Sequence, residues 1–276
     1  MKRDLKPKKK IIKAVNVYSH SNTEHGFGDY IRGCFCMIRI LRKKNIQFDM
    51  DISTHPVQRW LQPTVRYRCR TFDQITHSGN NRGRLRYIES NLEKANELYT
   101  FFCNEFPFAP ITTEDRIFIR NKLLPSSEMK EYIQQTKQNW GITGLYNIIH
   151  LRCGDSCLNK GEPPNYDIFL REIQQLKQDT IPYVILSDSL EMKKKLRELY
   201  PHFIIMMDNP QHTCACKNGE HLKDTIRDFF LFTSAHHVYA LSIYGHGSGF
   251  SKWACELYNV PYSISCKPFE ESNKIK

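Results

Sequence analysis

Three short polar clusters stand out in the second half of the chain. They are His150-Leu151-Arg152-Cys153-Gly154-Asp155, Ser187-Asp188-Ser189 and Gly245-His246-Gly247-Ser248-Gly249-Phe250-Ser251. An arginine carries a permanent, forked charge that fits phosphate oxygens. A Gly/Ser loop that opens a helix offers free backbone N–H groups and the positive end of the helix dipole. A carboxylate accepts hydrogen bonds from ribose hydroxyls or from guanine N–H groups. Together these are the parts of a site for a nucleoside diphosphate. Each alone has a plainer reading: a surface ion pair at Arg152, a helix cap at Ser187 or Asp188, a tight turn in GHGSGF. Their combined position favours a site.

That position comes from the elements around them. Each cluster follows a segment with the apolar run of a buried strand: Tyr146–Leu151, Pro182–Leu186 and His237–Leu241. Helices are expected from Tyr166, over Leu190–Leu199, from Leu222 to Ser234, and from the GHGSGF loop to Tyr258, with a further strand at His202–Met207. Alternating strands and helices predict a mainly parallel sheet, whose ligands lie at the carboxyl ends of its strands. The first half opens the same way. Lys13–Tyr18 reads as a buried strand, then comes the loop SHSNTEHGFGD. Next is a helix with Ile31, Cys34, Phe35, Ile38 and Leu41 on one face, and then a strand at Gln47–Asp51. Residues 53–91 read as irregular, Leu92–Leu98 as helix, Tyr99–Phe102 as strand, and Thr113–Leu123 and Ser127–Gln138 as helices, the last capped by Ser126 or Ser127. The fold class is therefore α/β, with two Rossmann-like domains. The expected division is a basic tail at 1–12, an N-terminal domain at 13–144 and a C-terminal domain at 145–276.

Composition permits a folded core: 276 residues, 40% hydrophobic and 12% aromatic. No apolar run reaches membrane-spanning length, and no secretory signal follows the basic start. The expected location is cytoplasmic, or luminal if an anchor is missing. The formal charge is +11. More than half of it lies in Lys2, Arg3, Lys6, Lys8, Lys9, Lys10 and Lys13, against Asp4, which reads as a solvated arm. Arg66, Arg68 and Arg70, and likewise Arg82, Arg84 and Arg86, alternate. They would share a face if extended, or belong to solvated loops. The ten cysteines do not form a small secreted framework. Neither His212, Cys214 and Cys216 nor His150, Cys153 and Cys157 has the paired spacing of structural zinc, so reduced thiols are expected.

The run IIHLRCGD (148–155) resembles the H-x-R-x-G/T-D motif of the fucosyltransferase superfamily, which includes α1,2-, core α1,6- and protein O-fucosyltransferases. VILSDS, TIRDFFLFTSAHHVYA and SGFSKWACEL follow in the order that family has, and GFGDYIRG resembles its first Gly-rich loop. The resemblance covers about Asn147–Leu257. It implies two facing Rossmann-like domains, the GT-B arrangement, and inverting, metal-independent transfer of fucose from GDP-fucose to a hydroxyl of a glycan or protein acceptor. It implies that Arg152 binds the diphosphate, that His150 shapes its site and that Asp155 orders the loop. Asp228 would lie by the guanine or ribose with Asp188 nearby. Ser248, Phe250 and Ser251 would close over the phosphates, and Gly26, Gly28 and Arg32 would line the other domain.

Departures from the pattern are Asp29 where Asn is common, Cys153 in place of a second Arg, Phe232 for Leu or Met, and Gly249 inside S-x-F-S. If a general base is used, Glu162 is the first candidate and Asp29 the second. No cofactor beyond the donor and no metal is expected. Two rival readings remain. Asp49-Met50-Asp51 is a DxD, which in another glycosyltransferase architecture holds Mn²⁺. The basic tail and arginine trios could instead serve a non-catalytic polyanion- or RNA-binding protein. Nucleic acid is the less favoured partner, because no RNP-like or KH-like pattern is present.

Overall fold

Both halves of the chain alternate strand and helix, and each builds its own parallel sheet. The computed structural model describes residues 13–19, 25–68, 72–75, 81–94, 98–154, 166–176, 180–208, 211–213 and 216–266. The chain divides into two compact units. One is Met1–Thr23, Tyr30–His55 and Pro63–Lys122; the other is Glu24–Asp29, Pro56–Gln62 and Leu123–Lys276.

The first unit holds β1 (Lys13–Val17), most of α1 (Phe27–Lys43), β2 (Gln47–Asp51), β3 (Phe72–Ile75), α2 (Asn81–Lys94), β4 (Leu98–Cys103) and α3 (Thr113–Lys122). Its four strands run parallel in the order β2-β1-β4-β3. The core joins Ala14, Met37, Leu41, Ile75, Ile88, Leu92 and Phe101. Asp29 in the first turn of α1 and Arg42 and Lys43 in the last complement the helix dipole. Asn16 fixes α1 and β4 to β1: its amide N–H₂ donates to Cys34 Sγ at 3.2 Å and its amide oxygen accepts from Cys103 N at 3.0 Å.

At Gly33 the helix lies against backbone. A Cβ there would fall 1.7 Å from the Cys103 carbonyl oxygen and 2.2 Å from its carbon, a clash no side-chain rotation relieves. Gly33→Ala is expected to cost at least about 2–3 kcal/mol, since it pries helix from sheet. Chemical denaturation midpoints test this. A variant within about 0.5 kcal/mol of the parent would show that α1 can move aside.

Three sequence expectations in the first half of the chain change. Residues 53–91 are not irregular throughout: a 3₁₀ turn (Pro56–Trp60), β3 and most of α2 fall there. The helix read at Leu92–Leu98 ends at Lys94, and Leu98 already pairs with Lys13 in the sheet. Arg82, Arg84 and Arg86 sit on α2 rather than on an extended segment, so position 84 lies some 200° from 82, while 82 and 86 are one turn apart. Arg70 lies outside the described residues.

The second unit holds α4 (Ser127–Asn139), β5 (Asn147–Arg152), α5 (Tyr166–Gln175), β6 (Tyr183–Ser187), α6 (Leu190–Leu199), β7 (Ile204–Ile205), α7 (Lys223–Phe232), β8 (His237–Ser242), α8 (Gly249–Tyr258) and β9 (Tyr262–Cys266). Ser126 caps α4 by accepting from Met129 N at 3.2 Å. The five strands are parallel, in the order β7-β6-β5-β8-β9. Counted within this unit that is 3-2-1-4-5, the Rossmann order, whose direction reverses between β5 and β8. The strand expected at His202–Met207 is only two residues long, Ile204–Ile205, and β9 is an addition to the expected order. Ile149, Leu151, Phe169, Ile185, Met192 and Leu196 form much of the core. Six described cysteines are free and buried. No helix among the described residues is long and apolar enough to cross a membrane.

Candidate functional site

The switch between β5 and β8 places two loops side by side. Arg152 ends β5 in register with Ser242, the end of β8. The loop after β8 then leads into α8. Neighbouring β6 ends at Ser187 and delivers Asp188 to the same rim.

Asp188 organises the β5 loop. Its Oδ1 accepts from Cys153 N at 2.7 Å, its Oδ2 accepts from Gly154 N at 3.3 Å, and Oδ2 also pairs with Arg152 Nη1. Gly154 adopts φ 120°, and a Cβ there would sit 2.7 Å from Ile243 Cδ1. The Arg152 side chain is 15% exposed, and its guanidinium lies 5.8 Å from the Tyr244 ring centroid. Its direction is thus set from two sides before any ligand arrives. Asp188 does not cap α6. Ser189 does, accepting from Met192 N at 3.2 Å, which leaves Asp188 for the loop.

His150, two residues before Arg152 on β5, reaches α7 and α8. Its Nδ1 shares a hydrogen bond of 2.9 Å with Ser251 Oγ, and its ring meets Phe232 edge-on at 5.0 Å. Burial, with Arg152 and Lys193 nearby, pushes its pKa down to about 3, so the ring is neutral at ordinary pH. This bond ties β5 to the first turn of α8. Phe250 packs against Phe229 and Phe232 of α7, both at 5.8 Å. Ser248 occupies the cap position of α8 with extended backbone (φ −100°, ψ 116°), but its hydroxyl caps nothing. The Ser248 hydroxyl thus does not occupy the first N–H groups of α8, and a helix start of this kind can bind an anion.

The first turn of α1, at Gly28 and Asp29, meets this same helix start. A Cβ on Gly28 would lie 2.5 Å from the Gly249 carbonyl oxygen, so only glycine lets the two backbones touch. Asp29 Oδ1 lies 3.4 Å from where a Gly249 Cβ would be. Gly26 is beside the His212 ring, its Cβ position 3.5 Å from His212 Cε1. Arg32 belongs to the first unit. There Arg32 Nε donates to the Asn104 carbonyl, and its guanidinium stacks 4.3 Å from the Phe106 centroid. Asp155 and Glu162 lie outside the described residues.

Asp228, on α7, is buried among charges. Arg227 Nε and Nη2 both donate to Asp228 Oδ1, at 3.0 and 2.6 Å. Burial pushes the Asp228 pKa up to about 6, with Asp208 adding to the rise and Arg227 and Lys193 opposing it. Arg227 also bonds Asp208 Oδ2 at 2.6 Å and Asp224 Oδ1 at 3.1 Å. Lys193, fully buried, donates to the Asp208 carbonyl at 2.6 Å, and burial lowers its pKa. Sequence reasoning missed Arg227, Asp208 and Lys193. A signal existed for Lys193: it precedes Leu196 by three residues and follows Met192, on the buried face of α6.

The DxD residues are occupied otherwise. Asp49 pairs with Lys122 at 2.7 Å and accepts from the Tyr67 hydroxyl, and Asp51 accepts from Ser53 N at 2.9 Å and Tyr67 N at 2.8 Å. Burial works against ionised Asp49, but the bonds from Lys122 and Tyr67 outweigh it and lower its pKa. The pair anchors the irregular segment around Tyr67 to β2. Among the described residues no group of three or more His, Cys, Asp or Glu side chains could hold a metal.

No family model matches the chain, and no curated protein matches it by sequence. Solved structures do. NodZ α-1,6-fucosyltransferase co-crystallised with GDP is 15% identical, with 94% of this chain and 97% of that chain covered and a TM-score of 0.59. Fucosyltransferase NodZ from Bradyrhizobium is 14% identical over 90% and 94%, with a TM-score of 0.56. An Arabidopsis thaliana FUT1 mutant in complex with GDP is 10% identical over 96% and 72%, with a TM-score of 0.61. At these identities the likeness is one of fold, and the fold of this chain is that of the GT-B-type fucosyltransferases.

Proposed function

We propose that the protein is an inverting glycosyltransferase that takes GDP-fucose as donor and a hydroxyl of a glycan or protein as acceptor. The observation that carries the reading is the rim between β5 and β8. An oriented Arg152 and the start of α8, which the Ser248 hydroxyl does not cap, share it. The shared fold with structures that contain GDP supports the choice of nucleotide.

In this reading the acceptor oxygen attacks the anomeric carbon from the face opposite GDP. The bond from that carbon to the phosphate oxygen breaks, and GDP leaves with its electron pair. Charge grows on the departing phosphate, where Arg152 and the α8 amides stabilise it without rearranging. Asp228 accepts from the nucleoside. The acceptor proton passes to a carboxylate, Glu162 or Asp29. Asp29 has in its favour the proximity to Gly249.

Binding and turnover test this together. GDP at about 100 times its dissociation constant should stabilise the fold by roughly 2.7 kcal/mol, with UDP, ADP and CMP giving less. Fucose transfer should persist in EDTA, because arginine and helix amides supply the positive charge. A UDP preference, or no shift with any nucleotide, would sink the donor assignment. Activity lost in EDTA and restored by Mn²⁺ would return Asp49 and Asp51 to consideration.

A further inference from the structure

Asp228 is gripped on one side only. Both hydrogen bonds it receives come from Arg227 and both fall on Oδ1. Among the described residues Oδ2 accepts none, although the side chain is only 6% exposed. A mostly buried carboxylate that keeps one oxygen open to an outside donor marks a place where something else donates. Arg227 cannot drift to satisfy it. Nη2 is also bonded to Asp208 and Nη1 to Asp224, and the guanidinium is 4% exposed. Tyr132 closes the far side, its hydroxyl donating to Asp224 Oδ1 at 2.6 Å. Burial alone would lower the Arg227 pKa, but Asp228, Asp208 and Asp224 hold it well above the usual value, so it is a fixed cation. Lys193 completes the surroundings from α6, holding the Asp208 carbonyl.

We propose that Arg227 is a positioning residue: by locking Asp228 Oδ1 it presents Oδ2 to the nucleoside of the donor and so sets the preference for guanine. The inference rests on the donor reading above. Guanine offers two adjacent N–H donors on one edge, which suits a single ionised oxygen. Uracil flanks its one N–H with carbonyl oxygens that repel a carboxylate, and adenine alternates donor and acceptor. A carboxylate free to rotate could turn an oxygen away or take up a proton and donate. One clamped by a two-nitrogen fork cannot turn, and it takes up a proton only at lower pH than it would without the fork. Lysine keeps the charge but cannot make the fork.

The ionisable groups facing Asp228 are Arg227 of its own helix, Asp208 after β7 and Lys193 of α6. Because Arg227 lowers the Asp228 pKa, loosening its grip should leave the carboxyl harder to ionise. The acid limb of GDP binding, expected near pH 6 in the parent, should then move to higher pH.

The test measures GDP and UDP binding by calorimetry, from pH 5 to 8, for the parent and for Arg227→Lys, Asp228→Asn and the double variant. Arg227→Lys should weaken GDP by about 10- to 100-fold and UDP far less, and should shift the acid limb upward. Its effect on KM for GDP-fucose should exceed that on kcat. In the Asp228→Asn background it should add nothing, because it acts through that carboxylate. Asp208→Asn, which frees the far end of the fork at lower risk to folding, should move the GDP:UDP ratio in the same direction by a smaller factor. A folded Arg227→Lys protein with the parent's ratio and pH limb, or effects that multiply in the double variant, would overturn the inference and leave the donor reading standing. If Arg227→Lys does not fold, an unchanged ratio in Asp208→Asn would overturn it equally. A parent protein that binds no GDP overturns both.

Discussion

Arg152→Ala is expected to turn over GDP-fucose about 10²–10³-fold more slowly than the parent at saturating donor, the usual cost of removing one preorganised donor from developing charge. The guanidinium is held by Asp188 and by the Tyr244 ring rather than by substrate, so its position costs nothing to reach at the moment of reaction. Arg152→Lys should recover only part of the loss, because an ammonium cannot bond two phosphate oxygens while keeping Asp188. The fold should survive: Asp188 keeps the amides of Cys153 and Gly154. Arg197→Ala, an exposed arginine on α6, is the matched control and should be near the parent. GDP release, with circular dichroism to confirm folding, decides it. A folded Arg152→Ala protein with parental turnover would reduce the family likeness to one of fold.

The second large effect concerns pH and has opposite signs at two buried groups. The His150 pKa is depressed from 6.5 to about 3. Its contribution to stability is therefore complete above pH 6.5 and is lost as pH falls towards 3, by about 1.4 kcal/mol per pH unit. The Asp228 pKa is raised from 3.8 to about 6. Its contribution is complete below 3.8 and is lost as pH rises through 6. Between pH 6 and 4 the two slopes oppose each other. Denaturation series at pH 6 and 4 should show His150→Gln gaining about 2–3 kcal/mol relative to the parent on acidification, and Asp228→Asn losing a similar amount. Glutamine can still bond Ser251 but does not titrate, and asparagine can still accept from Arg227. If both variants track the parent across the window, neither group titrates as its burial requires.

Much of this architecture could be read from residue order. Gln47–Asp51 and Leu190–Leu199 have the bounds read from the sequence, because QFDMD alternates polar and apolar residues as an edge strand does and an amphipathic helix repeats every 3.6 residues. The failures have local causes. Leu85, Ile88 and Leu92 carry the helical spacing of α2, but Asn81, Gly83 and the arginines around them imitate a loop. β3 is four residues long, and its register exists only through β4. β9 is the outer strand of its sheet, with Ile264 46% exposed, so YSISC lacks a buried strand's pattern. In the site, Arg152 and the GHGSGF loop were legible because each follows a strand. The ring of charge around Asp228 was not. Lys193, Lys194 and Lys195 are equal in the sequence, and only the phase of α6 buries the first of them. Asp188 was assigned to the nucleoside side, and its bonds to Cys153, Gly154 and Arg152 turn it to the β5 loop.

The idle hydroxyl at Ser248 has a practical consequence. A helix start whose cap residue leaves its hydroxyl unused gives up about 1 kcal/mol of the stability that bond would supply, and an anion that arrives there can recover it. If the first turn of α8 receives the donor's diphosphate, it will also receive sulfate and inorganic phosphate, which differ little from it in charge and shape. Buffer salts would then act as weak competitors, and affinity for a nucleotide measured in phosphate would be lower than the same affinity measured in a zwitterionic buffer of equal ionic strength.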